Sequence, residues 1–241
     1  MSVSTQTNSE VPSIPLYKLK EIHDLAEIEG QGRKIFVELT EDEIYPSQHK
    51  DDMGETDFHY NFTSYLRNSL KLFFEQRADV FVAANMNLYY EKDDPQKWVA
   101  PDVFVAFGVD GHARRTYKLW QENVFPQVIF EVASETTWRN DISEKHAFYE
   151  HFGIEEYYLI DTENFLPVPL IAFRREQGKL NRLTLAGDRV LSPRLKLEIV
   201  HTETEIKLFD PGEQEFLRTL SEAEKEIERL KAELTQLKSE K

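Results

Sequence analysis

Two acidic residues interrupt apolar stretches of the sequence and are the side chains best suited to do chemistry. Asp102 follows a proline in VAPDVFVAFG, and Glu131 is the single charge in QVIFEVAS. Burying an ionised carboxylate is costly unless it is paired or binds a metal. If the two stretches form neighbouring strands, both carboxylates can lie on one sheet face and share a Mg²⁺ ion, which favours carboxylates, waters and phosphate oxygens. Such a metal polarises a phosphodiester and lowers the pKa of an attacking water.

Each acid also has a purely structural explanation. Asp102 could cap the chain after its proline or pair with Arg114 or Arg115, and taken alone it favours that explanation. Glu131 could form a buried ion pair with Lys145, although such pairs are expensive to bury and add little stability. The sequence contains no glycine-rich phosphate loop, nucleophile elbow or zinc-spaced histidine cluster, so no other catalytic pattern competes.

The elements that must position these acids alternate between helix and strand. An amphipathic helix is predicted within residues 57–76, where residues of the buried face recur at three- and four-residue steps; they are Phe58, Phe62, Tyr65, Leu66, Ser69, Leu70 and Phe73. Strands are predicted at residues 79–90, 98–108, 127–134 and 155–161. Between the last two, a helix capped by Asp141 or Ser143 should end at Gly153.

This order predicts an α/β fold with a mixed central sheet flanked by helices. Three further stretches, VPLIAFRRE, LNRLTLA and LKLEIV, are predicted strands that complete or cover the sheet. The resulting division is an irregular N-terminal arm at residues 1–50, a catalytic domain at 51–202, and a linker with a C-terminal helix at 203–241.

The C-terminal helix carries a heptad seam, which predicts a short coiled coil. Its apolar residues alternate in steps of four and three: Phe216, Leu220, Ala223, Ile227, Leu230, Leu234 and Leu237. About three heptads are marginal in isolation, so a partner helix is expected, most simply from a second copy. A solvated helix that frays is the alternative. The sequence therefore predicts a homodimer through residues 216–238.

Composition places the chain among soluble intracellular proteins. It has 241 residues, no cysteine, no secretory leader and no apolar run long enough for a bilayer, so a cytoplasmic protein without membrane contact is expected. The net charge of −15 argues against tight non-specific nucleic-acid binding. The acid is concentrated at the ends, however: residues 1–60 hold 13 acidic and 5 basic residues, and the middle of the chain includes the basic stretch HARRTYK.

Longer stretches resemble a known family. The strings APDVFVAFGV, PQVIFEVASETTWRNDISEKHAFYEHFGIEEYYLID and FLPVPLIAFR resemble the Uma-type restriction endonuclease family of bacteria, within the PD-(D/E)xK nuclease superfamily. The resemblance covers roughly residues 50–200 and implies a restriction-endonuclease-like fold. The superfamily usually has a lysine two residues after the strand glutamate, where this chain has Ala133. Uma-type proteins resemble this chain in placing that lysine on the following helix, at the position of Lys145.

The resemblance implies a role for each site residue. Asp102 and Glu131 would bind Mg²⁺ or Mn²⁺, the main-chain carbonyl of Val132 would add a metal ligand, and Lys145 would orient or activate the water. Glu55 matches the position of a further acid in many of these nucleases. His59 is a weaker candidate.

Two hypotheses follow from the sequence. The first is a metal-dependent endonuclease that hydrolyses DNA phosphodiester bonds, with the coiled coil bringing two active sites together. The alternative is a catalytically inactive nuclease fold that serves as a binding or assembly module, which the acidic composition favours.

Overall fold

The computed structural model describes residues 19–22, 35–46 and 56–239, which fall into two compact units, residues 1–49 and 50–241. In the first unit, β1 (Leu19–Ile22) pairs antiparallel with β2 (Ile35–Glu38), and helix α1 (Glu41–Ile44) follows. Thr40 and Glu43 cap α1 reciprocally, with the Thr40 backbone N–H donating to Glu43 Oε2 at 2.9 Å. The prediction of an irregular arm is therefore wrong for these described residues.

The second unit is built on a six-stranded mixed sheet. Its strands are β3 (Val80–Ala84), β6 (Val103–Phe107), β8 (Val128–Val132), β9 (Glu156–Ile160), β10 (Leu170–Glu176) and β11 (Lys179–Arg182). In space they run β11–β10–β9–β8–β6–β3; β8 and β9 are parallel, and every other neighbouring pair is antiparallel. The parallel pair needs a crossover, which the helical segment between β8 and β9 supplies. The predicted α/β fold with a mixed central sheet is confirmed.

Two smaller sheets contain the remaining strands of this unit. One consists of β4 (Leu88–Tyr89), β5 (Trp98–Val99) and β7 (Tyr117–Lys118); the other of β12 (Arg189–Ser192), β13 (Leu197–His201), β14 (Ile206–Asp210) and β15 (Glu215–Phe216). The predicted strand 79–90 is thus split into β3 and β4, and the strand 98–108 into β5 and β6. The second break contains a proline, which cannot donate a ladder hydrogen bond, and it leaves Asp102 directly before β6.

The helices of the second unit are α2 (Asp57–Phe73), α3 (Leu119–Glu122), α4 (Trp138–Asn140), a π-helical turn (Asp141–Lys145), α5 (His146–His151) and α6 (Leu220–Ser239). None of the helices in the described ranges is both long and apolar enough to cross a membrane. Helix α2 begins after Thr56, whose hydroxyl accepts a hydrogen bond from the His59 N–H at 3.2 Å. It buries Phe62, but Phe58, predicted on the same apolar face, is 65% exposed.

The main sheet has a separate apolar layer on each face. Helix α2 and the four-stranded sheet cover one face, where Leu66, Val105 and Leu197 are fully buried. Helix α5 and the three-stranded sheet cover the other, with Ile129, Tyr149 and others buried beneath them. Because side chains alternate along β8, Glu131 points to the face covered by α5.

The C-terminal region differs from its prediction in two ways. Residues 203–216, assigned to a linker, contain β14 and β15, and Phe216 belongs to β15 rather than to the helix. Helix α6 begins only at Leu220, after a capping box formed by Thr219 and Glu222. A C-terminal helix is present, and its coiled-coil pairing remains a prediction.

Candidate active site

The register of two antiparallel strands brings Asp102 and Glu131 together. Val103 of β6 lies opposite Phe130 of β8, so one further step places Asp102 opposite Glu131. The Asp102 N–H donates to Glu131 Oε2 at 3.4 Å, and the Val132 N–H donates to Asp102 Oδ2 at 2.7 Å. The two carboxylates are therefore neighbours at one end of the main sheet.

Glu131 is a fully buried acid in an apolar layer. Lys145 Nζ lies 3.0 Å from its Oε2, and the Tyr149 hydroxyl donates a short hydrogen bond to its Oε1. Burial raises the pKa of Glu131 to about 8; the Lys145 charge opposes this rise, and Asp102 and Asp141 add to it. Glu131 can therefore exchange its proton near neutral pH, which is unusual for a carboxyl group.

Lys145 is held between two acids. Its Nζ lies 2.9 Å from Asp141 Oδ1 as well as 3.0 Å from Glu131, and its side chain is only 20% exposed. Burial by itself lowers the pKa of Lys145, but the charges of Glu131, Asp102 and Asp141 together raise it above its ordinary value. The neighbouring acids therefore favour the charged form of Lys145.

The π-helical turn supplies the pairing of Asp141 with Lys145. Asp141 is buried, and its carbonyl accepts a hydrogen bond from the Tyr157 hydroxyl at 3.0 Å. Such wide turns interrupt α-helices mostly at functional sites. The prediction that Asp141 or Ser143 caps a helix is wrong, because helix α4 precedes both residues and the chain is already helical there. The predicted stop at Gly153 is confirmed, with a φ of 82° directly after the C-cap residue Phe152.

Asp102 remains ionised because of its neighbours. Burial raises its pKa, but the His59 hydrogen bond and the Lys145 charge together hold that pKa below its usual value. His59 Nε2 lies 3.2 Å from Asp102 Oδ2. His59, a weaker candidate in the sequence, is thus the α2 residue that contacts the site. Arg114, the alternative partner of Asp102, instead pairs with Glu122 at 2.8 Å.

The structure brings together three of the four predicted catalytic residues: Asp102, Glu131 and Lys145. The fourth, Glu55, lies outside the described residues. The structure adds two residues to the site: Asp141, which the sequence favours as a helix cap over a catalyst, and Tyr149, which it favours as a core residue or a support for Lys145. A signal for them exists, because both lie four residues from Lys145 and so share its helix face.

The donor atoms fit a hydrated hard cation. A cleft of about 380 Å³ opens at the site, lined by Thr56, His59, Asp102, Val132, Thr137 and Lys145 among others. In the described ranges, no three His, Asp or Glu side chains are grouped to hold a metal by themselves. Mg²⁺, however, is usually bound by one or two carboxylates and keeps several waters. Asp102 and Glu131 provide two carboxylates, the number that such a site uses.

Comparison with known proteins places the chain in a family. No curated protein matches it significantly. A crystal structure of a "putative nuclease belonging to DUF820" from Anabaena variabilis ATCC 29413 is similar, with a TM-score of 0.45 and 12% identity, covering 60% of this chain and 76% of that one. The model of the Uma2 family, described as "Putative restriction endonuclease", matches residues 19–206, a range that contains Asp102, Glu131 and Lys145. The protein is therefore a member of the Uma2 family.

Proposed function

We propose that this protein is a divalent-metal-dependent endonuclease that hydrolyses DNA phosphodiester bonds. The observation that supports the proposal most is the grouping of Asp102, Glu131 and Lys145. The Asp102 N–H and the Lys145 ammonium both donate to Glu131 Oε2, and Asp102 and Lys145 line one cleft. A buried acid with a strongly raised pKa beside a cation is typical of active sites. A binding module has no need to keep such costly charges together.

Each residue has a defined role in this proposal. Asp102 and Glu131 would hold Mg²⁺ or Mn²⁺, with the Val132 carbonyl as a further ligand. When bound, the metal polarises the phosphodiester and lowers the pKa of water. The ammonium of Lys145 orients the attacking water and stabilises the negative charge that develops on the phosphate.

The other contacts position these groups. Asp141 is a second acid that holds the Lys145 ammonium, and the Tyr149 hydroxyl fixes Glu131 Oε1. His59 bonds one oxygen of Asp102. These partners restrict the rotamers of the acids and the lysine, so the site is preorganised.

Metal binding should raise the melting temperature, and more so at higher pH. Glu131 must be ionised to bind a cation, and its pKa is about 8. At a metal concentration about 100-fold above Kd, a rise of about 5–10 °C is expected. The rise should be larger at a pH above 8 than below it, as measured by thermal denaturation with Mg²⁺ or Mn²⁺. Asp102→Ala should show no rise; equal melting of both proteins with and without metal would contradict the metal site.

Plasmid cleavage tests the proposal directly. Wild-type protein with Mg²⁺ or Mn²⁺ should convert supercoiled plasmid to nicked and linear forms, and a chelator should stop the reaction. Glu131→Gln and Lys145→Ala should be inactive. Nicking that persists in both variants would identify a contaminating nuclease. Metal binding without cleavage of any DNA would instead favour the inactive binding module.

Two basic side chains of helix α2 are candidates to contact DNA. In the stretch HARRTYK, the Arg114 side chain is only 6% exposed and Lys118 is buried, which leaves Arg115 as its exposed basic side chain. Arg67 and Lys71, by contrast, line a second cleft of about 390 Å³ along β3. We propose these two as phosphate contacts.

Removal of these two charges should weaken DNA binding and its salt dependence. Arg67→Ala combined with Lys71→Ala should lower the slope of log affinity against log salt by about 2, since each phosphate contact contributes about 1. The measurement uses the non-cleaving Glu131→Gln background and fluorescence anisotropy. Lys179→Ala, an exposed lysine on β11, is the matched control. If the double variant keeps the salt dependence of the parent protein, DNA binds to a different surface.

A homodimer is also part of this proposal, because two active sites suit the cutting of both strands of a duplex.

A further inference from the structure

Helix α6 exposes a row of aliphatic side chains at heptad spacing. Leu220, Ile227 and Leu230 are 53%, 50% and 51% exposed. In the sequence, Leu234 and Leu237 continue the same seam. Rows of this kind mark interaction sites, because exposed aliphatic surface is unfavourable in water.

The start of this helix is fixed to the second unit, while its later turns are exposed. The Ser69 hydroxyl of α2 donates to the Arg218 carbonyl at 2.9 Å, directly before the capping box that begins α6. Every residue from Ile227 to Glu233 is exposed. Within the described part of the chain, the apolar row of α6 is therefore not buried by other elements beyond the first turns of the helix.

The charges beside the seam determine which helix orientation fits. With Leu220, Ile227 and Leu234 at heptad position a, Glu226 and Glu233 occupy position g, and Lys231 and Lys238 occupy position e. In a parallel pair, each g residue lies opposite the e residue of the next heptad on the other helix. Glu226 would then face Lys231 of the other helix, and Glu233 would face Lys238.

An antiparallel pair would reverse this complementarity. There g faces g and e faces e, so Glu226 would lie opposite Glu233 of the other helix, and only Glu224, which also occupies position e, could face a lysine. Ile227 at position a with Leu230 at position d is a combination that favours two strands in a parallel coil, whereas Leu220 and Leu234 occupy the other a positions and Ala223 another d position.

We infer that two copies of this chain pair through α6 as a parallel, in-register, two-stranded coiled coil. Parallel pairing places both N-terminal helix ends, and hence both catalytic units, at the same end of the coil. The inference does not depend on DNA cleavage. Its failure would leave the proposed nuclease chemistry intact.

Disulfide cross-linking tests the orientation, since the native chain contains no cysteine. In a parallel coil, position d of one helix faces position d of the other, so Leu230→Cys should form a covalent dimer under mild oxidation. Lys225→Cys, at the outward position f, is the matched control and should stay mostly monomeric on a non-reducing gel. Cross-links that form only when Ile227→Cys and Leu230→Cys proteins are mixed would show an antiparallel pair and overturn the inference.

Charge reversal provides a second test that retains the apolar seam. Lys231→Glu with Lys238→Glu should shift the protein to monomer in sedimentation velocity, and so should Glu226→Lys with Glu233→Lys. Mixing the two double variants should restore a dimer, because opposite charges again face each other. A wild-type protein that is monomeric at every concentration, or a dimer that tolerates both reversals, would overturn the inference.

Discussion

Asp102→Asn is expected to reduce metal-dependent plasmid cleavage by on the order of 10³-fold or more. Asparagine keeps the size of the side chain and an oxygen that can accept from the Val132 N–H, a hydrogen bond of 2.7 Å in the native protein. It loses the negative charge that a divalent cation needs. The measurement is the initial rate of nicking of supercoiled plasmid with Mg²⁺ or Mn²⁺.

The fold should survive this substitution. Asp102 raises the pKa of Glu131 by repulsion, so its neutralisation relieves a like-charge contact and stability should change by only about 1 kcal/mol. Asp188→Asn, an exposed acid before β12, is the matched control and should cleave at the wild-type rate. Full cleavage by Asp102→Asn, with a normal melting curve, would exclude Asp102 as a metal ligand.

The pairing of Asp102 with Glu131 could be predicted because it depends on strand periodicity. Each acid stands in an apolar stretch whose residue types favour a strand, and neighbouring antiparallel strands bring such residues together. The error at residues 98–108 had little effect on this prediction. The chain breaks at Ala100 and Pro101, and Asp102 still lies one register step beyond the Val103–Phe130 pair.

The environment of Lys145 could be predicted only in part. The resemblance to the family identified Lys145 as the lysine that reaches the site of Asp102 and Glu131. The sequence does not show where a helix widens into a π-helical turn. That turn puts Asp141 in contact with Lys145 rather than at a helix end. The contact depends on how the helix packs over β8 and β9, which is a tertiary effect. The same is true of His59, whose approach to Asp102 depends on where α2 crosses the sheet.

The contact between Glu131 and Lys145 agrees with both the structural and the catalytic explanation. A purely structural pair would be satisfied by two partners, whereas this cluster contains three acids, one lysine and a tyrosine hydroxyl, and two of its members, Asp102 and Lys145, line the cleft. When all three acids are ionised, they exceed the single positive charge of Lys145, and burial together with this repulsion raises the pKa of Glu131 and of Asp141. A divalent cation would favour their ionised forms.

The same excess of negative charge predicts that Lys145→Ala is strongly destabilised. Above about pH 8, where Glu131 is ionised, removing one partner of this buried ion pair leaves an uncompensated charge and costs about 3–5 kcal/mol. For a chain of this size, that corresponds to a fall in melting temperature of about 6–20 °C. Urea denaturation without metal measures the free energy of unfolding, and Lys179→Ala, an exposed lysine, is the control.

The pH dependence of this loss identifies its cause. The pKa of Glu131 is raised from 4.5 to about 8 in the folded protein, so the native state binds more protons than the unfolded state in that window and stability falls as pH rises through it. Lys145 opposes the rise, so its removal extends the window to higher pH. The loss of folding stability in Lys145→Ala should therefore be smallest in acid, where Glu131 and Asp141 are protonated, and grow as they ionise.

Adding Glu131→Gln should recover much of the lost stability, because the double variant no longer buries that unpaired charge. If Lys145→Ala instead loses little stability, and the loss does not change with pH, then water rather than Glu131 solvates the Lys145 ammonium in the native protein.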